Sequence, residues 1–530
     1  MFIVRNLSYK INHSIDIFKN LSFTIGENEK VAIIGKNGIG KSILLKLLVG
    51  ESIASNGEII KNGANISYFP QKFNELNFSS VADVFGLEKQ VISLKKVDDG
   101  VADIEDYENL DGNWDCIDKI KEKMKFFNLN FDLLRDFKTL SGGEKVKLIL
   151  SSIIDENSNF LILDEPTNNM DYNSKKYFYE FIKNWQGGLV VVSHDRELLN
   201  LVNKIFELRK IGMKETKLFI YGGNYDYWKQ QKELETQALE NQYNNSIKQI
   251  KHAKQELQNE REMKDRKRKE GEKMYSEKAR APGKAAGLIM MVAENKRGQL
   301  ARQCNNRVEK KEKEFQELSS KLEISNKIYF KFNENTFKNK NLVEIENLLF
   351  FYGKKQIFND FNLLIKNGDR IAINGKNGSG KTTLLNIIMG KITDFKGSVR
   401  INTNKIVYLD QNCDFLNQNL TILENILNFN NTIKEKDARD ILAMFLFRTD
   451  DVYKKVQDLS GGEKLRVALA CIFSNDTPEL ILLDEPTNNM DLESIEVLEN
   501  ILNQYRGGLV VVSHDGVFKE NIMVNRNIKL

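Results

Sequence analysis

Nine residues, Leu163-Asp164-Glu165-Pro166-Thr167-Asn168-Asn169-Met170-Asp171, recur unchanged at Leu483–Asp491, and nine more, GGLVVVSHD at Gly187–Asp195, recur unchanged at Gly507–Asp515. Both pairs stand 320 residues apart, from 163 to 483 and from 187 to 507. Many short repeats would read as a solenoid. Two long copies with unlike residues between them read as one domain used twice.

Each copy opens with a phosphate-binding loop. Gly35-Lys36-Asn37-Gly38-Ile39-Gly40-Lys41-Ser42 matches G-x-x-x-x-G-K-[ST], and so does Gly375-Lys376-Asn377-Gly378-Ser379-Gly380-Lys381-Thr382, with Thr383 following. In the first copy an apolar run, Val31–Ile34, precedes the loop and a helix-like run, Ile43–Val49, follows it. That strand–loop–helix context is what the motif requires. Its glycines let backbone N–H groups turn inward on phosphate oxygens, and the helix N-terminus adds its positive end. Lys41 and Lys381 are then expected to reach the β- and γ-phosphates, and Ser42 and Thr382 to hold Mg²⁺.

The spacing of later motifs locates the one large difference between the copies. The loops begin 340 residues apart, at 35 and 375, as do Gln71 and Gln411, each ending a strand-like run. The LSGGEK motifs beginning at Leu140 and Leu459 stand only 319 apart, so the first copy carries 21 extra residues between Gln71 and Leu140. Within each copy apolar strands alternate with helical stretches, which predicts an α/β fold with a largely parallel sheet.

The chemistry follows from strand ends. Phe160–Leu163 is a buried-strand pattern that ends in Asp164 and Glu165; its repeat ends in Asp484 and Glu485. After a phosphate loop, the first carboxylate suits a Mg²⁺ contact and the second suits orientation of an attacking water. His194 and His514 follow the apolar runs Leu189–Val192 and Leu509–Val512 and read as γ-phosphate sensors, although a lone histidine after a strand is more often structural. His13 and His252 have no such context.

Together these motifs resemble the ABC ATPase superfamily. The resemblance implies two domains facing head to tail, each ATP lying between the phosphate loop of one and the LSGGE of the other. It groups Lys41, Gln71, Asp164, Glu165 and His194 with Ser460, Gly461, Gly462 and Glu463, and Lys381, Gln411, Asp484, Glu485 and His514 with Ser141, Gly142, Gly143 and Glu144. Asp171 and Asp491 match the D-loop aspartate; Ser42, Gln71, Asp164, Thr382, Gln411 and Asp484 are the Mg²⁺ set. Both sites keep every catalytic residue type, so two competent sites are expected. An aromatic residue ahead of the loop would stack on adenine. Tyr352 fits, while Tyr9 reads equally as a core tyrosine.

Net charge is +4 with 29% charged residues, so contact with a polyanion must come from a local patch. Four cysteines, Cys116, Cys304, Cys413 and Cys471, lack metal-ligand spacing and read as reduced thiols of a cytoplasmic protein. No apolar run approaches the roughly 18 residues of a membrane span, and the strand-like start at Met1–Tyr9 leaves no signal peptide.

Expected domains are 1–227, 228–327 and 328–530. The middle segment is charged and helix-prone. Tyr243, Ile250 and Leu257, then Ala301, Val308, Phe315 and Leu322, recur at sevens, which predicts two helices paired as an antiparallel coiled coil. The first is expected over Trp228–Glu270 and the turn within Gly271–Val292, where Pro282-Gly283 and Gly287 break the pattern. Alternating Ile328, Phe330 and Phe332 predict a first strand of the second domain. From Arg261 to Arg302 there are 13 Lys/Arg against 6 Asp/Glu, and Leu288-Ile289-Met290-Met291-Val292 is an apolar patch. A solvated linker is the plain reading of a charge run. A basic hairpin with an apolar tip suits phosphate contacts and insertion into a pocket, although the tip could pack on its own hairpin.

Two ABC domains in one chain, a Tyr221-Gly222-Gly223-Asn224-Tyr225 end to the first and a long helical spacer resemble the ABC-F proteins. That resemblance implies ATP-dependent binding to the ribosome (large-subunit ribosomal RNA and exit-site or peptidyl-site tRNA) by a monomer with an intramolecular ATP sandwich. The hairpin would enter the tRNA exit site, with Met274, Tyr275, Lys278, Arg280, Lys284, Leu288, Ile289, Met290 and Met291 as tip candidates. The Asn169-Met170 pair departs from the His-Leu of many members. A surplus of only 21 residues, a spacer of about 100 and a chain ending at Leu530 resemble the antibiotic-resistance branch, which acts on lincosamides, streptogramin A and pleuromutilins at the peptidyl-transferase centre. The alternatives are a housekeeping ABC-F translation factor and the ATPase subunit of a membrane exporter.

Overall fold

The apolar run Val31–Ile34 is the centre of the first domain's main sheet: every residue of it is buried. The computed structural model describes residues 1–11, 15–71, 77–155, 157–168, 170–211, 215–277, 310, 340–410, 413–447, 449–475, 477–488 and 490–530. In chain order the first domain runs β1 (Phe2–Ile11), β2 (Ile15–Ile25), β3 (Lys30–Gly35), α1 (Lys41–Val49), β4 (Asn56–Lys61), β5 (Ile66–Phe69) and α2 (Val81–Val84). It continues α3 (Glu88–Asp98), α4 (Ile104–Leu110), α5 (Cys116–Phe126), α6 (Gly142–Ile153), β6 (Phe160–Asp164), α7 (Tyr172–Asn184), β7 (Gly188–Val192), α8 (Arg196–Leu199), β8 (Lys204–Ile211) and β9 (Glu215–Gly222).

The main sheet has the order β5-β6-β7-β3-β8-β9 and is parallel as far as β8, with β9 antiparallel at its edge. β6 and β7 are buried at every position. A parallel strand covered on both faces has no solvent side on which to place a polar residue, so it reads as an unbroken apolar run.

The spacer begins with α9 (Tyr225–Glu277). The second domain then runs β10 (Asn341–Tyr352), β11 (Lys355–Lys366), β12 (Arg370–Asn374), α10 (Lys381–Ile388), β13 (Lys396–Ile401), β14 (Ile406–Leu409), α11 (Ile422–Phe429) and α12 (Glu435–Met444). It ends α13 (Gly461–Phe473), β15 (Leu480–Asp484), α14 (Leu492–Gln504), β16 (Gly508–Val512), α15 (Gly516–Asn521) and β17 (Arg526–Lys529). Its parallel sheet, β14-β15-β16-β12-β17, repeats the first.

Each domain also carries a three-stranded antiparallel sheet, β2-β1-β4 and β11-β10-β13, beyond the parallel sheet that the apolar runs predict. In β1 the core takes Phe2, Val4 and Leu7. The pairing shifts register between Val4 and Leu7, so the inward residues do not keep a strict alternation. The 21-residue surplus is helical: α2 to α5 lie where the second domain has only α11 and α12. Buried Asp106 on α4 ties that insertion together, accepting from Ser93 Oγ at 3.0 Å and Lys96 Nζ at 2.9 Å on α3.

The spacer departs from expectation in its length. α9 starts at Tyr225, before Trp228, and passes through Gly271 to Glu277. Its 53 residues span roughly 80 Å at about 1.5 Å each. An interior glycine costs only about 1 kcal/mol, and the Lys, Glu and Met residues around Gly271 favour helix, so the turn cannot begin there. Met274 and Tyr275 therefore belong to a helix. Lys278, Arg280, Lys284, Leu288, Ile289, Met290 and Met291, the returning helix and the strand expected at Ile328–Phe332 lie outside the described residues. Residues 227–327 form one unit, and residues 1–226 with 328–530 another. Among the described residues no helix is long and apolar enough to cross a membrane.

Candidate nucleotide-binding sites

Parallel strands bring the motif residues to one edge of each sheet. The phosphate loop follows β3, Gln71 follows β5, Asp164 and Glu165 end and follow β6, and His194 follows β7. Ligands of open α/β sheets bind at this carboxyl edge. In the loop Gly40 has φ 108°, and a Cβ there would lie 2.7 Å from Ile17 Cγ2 and 2.8 Å from Phe18 Cζ. Gly380 has φ 100° and meets Ile357 and Phe358 in the same way. The apolar pair on β2, and on β11, presses the loop into its curve, and only glycine fits against it.

Lys41 Nζ donates to Gly35 O at 2.7 Å and Asn37 Oδ1 at 3.3 Å and stands 2.9 Å from His194 Nε2. Lys381 Nζ donates to Gly375 O at 2.9 Å and Lys376 O at 3.2 Å. Both ammonium groups are buried within their loops, and burial lowers their pKa.

Glu165 and Glu485 hold φ at 49° and 47°, left-handed values that cost a non-glycine residue about 1–3 kcal/mol. Their backbone N–H groups donate to Val192 O at 2.8 Å and Val512 O at 2.9 Å, so the neighbouring strand fixes the turn. The turn aims each carboxylate at the histidine after the neighbouring strand: His194 Nε2 is 3.4 Å from Glu165 Oε1, and His514 Nε2 is 3.3 Å from Glu485 Oε1. Burial pushes the Glu485 carboxyl up to about 7 and the His514 imidazole down to about 4. Glu165 and His194 move in the same directions for the same reason.

Of the residues expected to hold Mg²⁺, Ser42 stands with Asp164 and Thr382 with Asp484. Thr382 Oγ1 donates to Asp484 Oδ2 at 2.8 Å, and Ser42 hydrogen-bonds Asp164. Asp164 Oδ1 is buried with no hydrogen-bond partner among the described residues. A hydroxyl beside a carboxylate with a spare oxygen, next to a phosphate loop, fits a hard divalent cation. Bound there, Mg²⁺ would neutralise phosphate charge. Gln71 lines the same cleft; Gln411 lies outside the described residues.

The cleft around Lys41, about 490 Å³, is lined by both domains: Asn37, Ser42, Glu165 and His194 from the first, Ser460 and Gly461 from the second. Asn37 N donates to Asp491 Oδ2 at 3.2 Å, and Lys36 Nζ pairs with Glu493 at 3.0 Å across the junction. At the other site the exchange is reciprocal, the Asp171 charge acting on Lys381 and His514. Asp171 and Asp491 also cap α7 and α14, accepting from Ser174 N and Ser494 N at 2.9 Å.

The signature motifs start α6 and α13 with capping boxes. Ser141 Oγ donates to Glu144 Oε2 at 2.8 Å and Ser460 Oγ to Glu463 Oε2 at 2.7 Å. Glu144 and Glu463 are thus turned back onto their own helix starts, and the glycines after each serine begin the helix. Tyr352 is 56% exposed, with Phe350 edge-on at 5.0 Å, and is free to stack on a base. Tyr9 packs on the first domain's core, which favours its structural reading. Thr383 is buried in α10.

Three residues that no motif flagged occupy the junction. Lys175 Nζ lies 2.9 Å from Asp195 Oδ2, and buried Arg196 pairs with buried Glu499 of the second domain. A signal existed: with the copies aligned at 320 residues, Lys175 faces Ile495, Tyr179 faces Glu499 and Arg196 faces Gly516.

The family described as ABC transporter matches residues 18–168 and 358–488. The ATP-binding protein Uup of Buchnera aphidicola subsp. Schizaphis graminum is 32% identical over 96% of this chain and 77% of its own. ABC transporter F family member 2 of Arabidopsis thaliana is 29% identical over 99% and 76%. Ribosome protection protein VmlR of Bacillus subtilis is 28% identical over 97% and 84%. Among solved structures, RNase-L Inhibitor shares the fold with a TM-score of 0.56 and 16% identity, over 98% of this chain and 87% of that one.

Proposed function

The chain belongs to the ABC-F family of ABC ATPases and hydrolyses ATP, and from that premise we propose that it works on the ribosome, using ATP to close its two domains. The observation that carries the closing step is the cleft that joins the first phosphate loop to Ser460 and Gly461, with Asn37 N on Asp491 Oδ2 at 3.2 Å. A nucleotide there touches both domains, so its binding energy is available for closure. Lys41 and Lys381 hold the β- and γ-phosphates; Ser42 with Asp164, and Thr382 with Asp484, hold Mg²⁺. Glu165 and Glu485 orient the attacking water, and His194 and His514 sense the γ-phosphate. Cleavage removes the γ-phosphate from between the domains and releases them.

The finer reading is ribosomal protection in the cytoplasm. The spacer of residues 228–327, led by α9, reaches through the tRNA exit site and its tip reshapes the drug site at the peptidyl-transferase centre. The name of the Bacillus subtilis relative and the basic excess of Arg261–Arg302 support it. The helical insertion α3–α4 favours a second reading, a housekeeping translation factor, since such members carry an arm at that place.

The test is bacterial cell-free translation stalled by a lincosamide or a pleuromutilin, with purified protein and ATP titrated in. Restored synthesis is expected for the full chain and not after shortening of the 271–292 segment, which leaves ATPase activity intact. Relief of stalling without drug, and none with it, would select the housekeeping reading. ATP-independent sedimentation away from ribosomes would overturn both.

A further inference from the structure

His194 and His514 are each followed by an aspartate, and these two aspartates line one cleft at the junction. Asp195, Asp515 and Lys175 line one cleft, and each aspartate feels the charge of the lysine. Lys175 Nζ donates to Asp195 Oδ2 at 2.9 Å, and Tyr179 OH donates to the same oxygen at 2.6 Å. On the second domain the matching α14 positions are Ile495 and Glu499, which offer Asp515 no cation. Asp515 accepts from the Phe518 amide at 2.9 Å, and the charges acting with it are Lys519 of its own domain and Lys175 and Arg196 of the first.

We propose that Lys175 is a positioning residue for both sites: its ammonium, which the second domain does not match at Ile495, is a counter-ion shared by the two loops that follow β7 and β16 and permits them to approach when the domains close. Buried carboxylates that share one cleft repel at low dielectric, and a cation in that cleft opposes the repulsion. Burial drives both aspartates up; Lys175 and Tyr179 hold Asp195 below the usual carboxylate range, whereas Asp515 stays above it. The ammonium also acts on Glu485 and His514, so the first domain reaches the second site's chemistry, and Ile495 returns nothing to Glu165. Arg196 and Lys519 are further cations acting in this cluster, and Glu197, Glu485 and Glu520 further carboxylates.

The proposal rests on the ATP-sandwich reading, and the test separates the two. Closure is followed by energy transfer between dyes on the two domains of the full chain while ATP is titrated. Lys175→Met is expected to raise the half-closing ATP concentration about tenfold and to raise KM more than it lowers kcat. Lys175→Arg should stay within about threefold of the unaltered chain. Asp515→Asn should return Lys175→Met to within about threefold. If Lys175→Met does not fold, Lys175→Met/Asp195→Asn removes the pair inside the first domain without an orphan charge, and Asp515→Asn must still ease its closure. Additive effects of Lys175→Met and Asp515→Asn, or unaltered closure in Lys175→Met, would overturn the proposal. No ATP-driven closure in the unaltered chain would instead remove the sandwich reading.

Discussion

Arg196 of the first domain donates to both carboxylate oxygens of Glu499 in the second, at 2.6 and 3.3 Å, with both side chains buried. Asn521 Nδ2 supplies a further bond to Glu499 Oε2 at 3.1 Å. The pair sits one residue beyond Asp195, outside the nucleotide residues, and joins the two domains directly. Removing one partner leaves an uncompensated buried charge, which costs about 3–5 kcal/mol. Arg196→Met should lower stability by that amount in urea unfolding, and Arg196→Met/Glu499→Met by clearly less. Equal losses would mean that the two charges are not coupled.

Glu165→Gln/Glu485→Gln keeps side-chain size and the left-handed turns but removes both carboxylates beside the switch histidines. Turnover should fall by about 10²–10⁴-fold, the usual worth of a positioned proton-accepting group. ATP should remain bound, because the lysines and the Mg²⁺ residues are untouched. Steady-state phosphate release and retention of radiolabelled ATP after gel filtration give the two readouts; turnover within threefold of the unaltered protein would sink the assignment.

Gly40→Ala places a methyl group 2.7 Å from Ile17 Cγ2 at a φ of 108°. The loop must open or β2 must retreat, and the strain is about 1–3 kcal/mol. Binding of ATP at the first site should weaken by roughly tenfold to a hundredfold, measured by calorimetry. Gly38→Ala is the comparison, since a Cβ at Gly38 meets nothing within 4 Å; a loss as large there would place the defect in backbone conformation alone.

The His514 imidazole is buried and pushed down to about 4, first by desolvation and then by the Lys381 charge. Its folded pKa is depressed below an unfolded value of about 6.5. The neutral form is therefore favoured by folding: the contribution is fully present above pH about 6.5 and is lost as pH falls towards 4, at about 1.4 kcal/mol per unit. His514→Gln should flatten this part of the stability–pH curve in chemical unfolding. An unchanged acid limb would show that the histidine is hydrated.

Much of this was written in the chain. The duplicated motifs, the two phosphate loops and the carboxylates ending apolar runs announced two α/β nucleotide-binding domains. Those signals are local: a glycine-rich turn, a strand buried on both faces and a helix cap each depend on neighbours a few residues away. The long first helix of the spacer was legible for the same reason, although it runs past the expected end at Glu270, through Gly271 to Glu277, where the surrounding helix formers carry it on.

What the sequence by itself determined was the set of chemical groups and the order in which strands deliver them to one sheet edge. What only the tertiary structure decided was which groups from distant segments meet. The strained turns at Glu165 and Glu485 depend on hydrogen bonds to β7 and β16, and Tyr9, partly buried, packs against the first domain's core. Arg196 found Glu499, 303 residues away, and Lys175 came to share one cleft with Asp195 and Asp515. Such meetings are set by the packing of one domain on the other, and no periodicity within either copy encodes the distance between them.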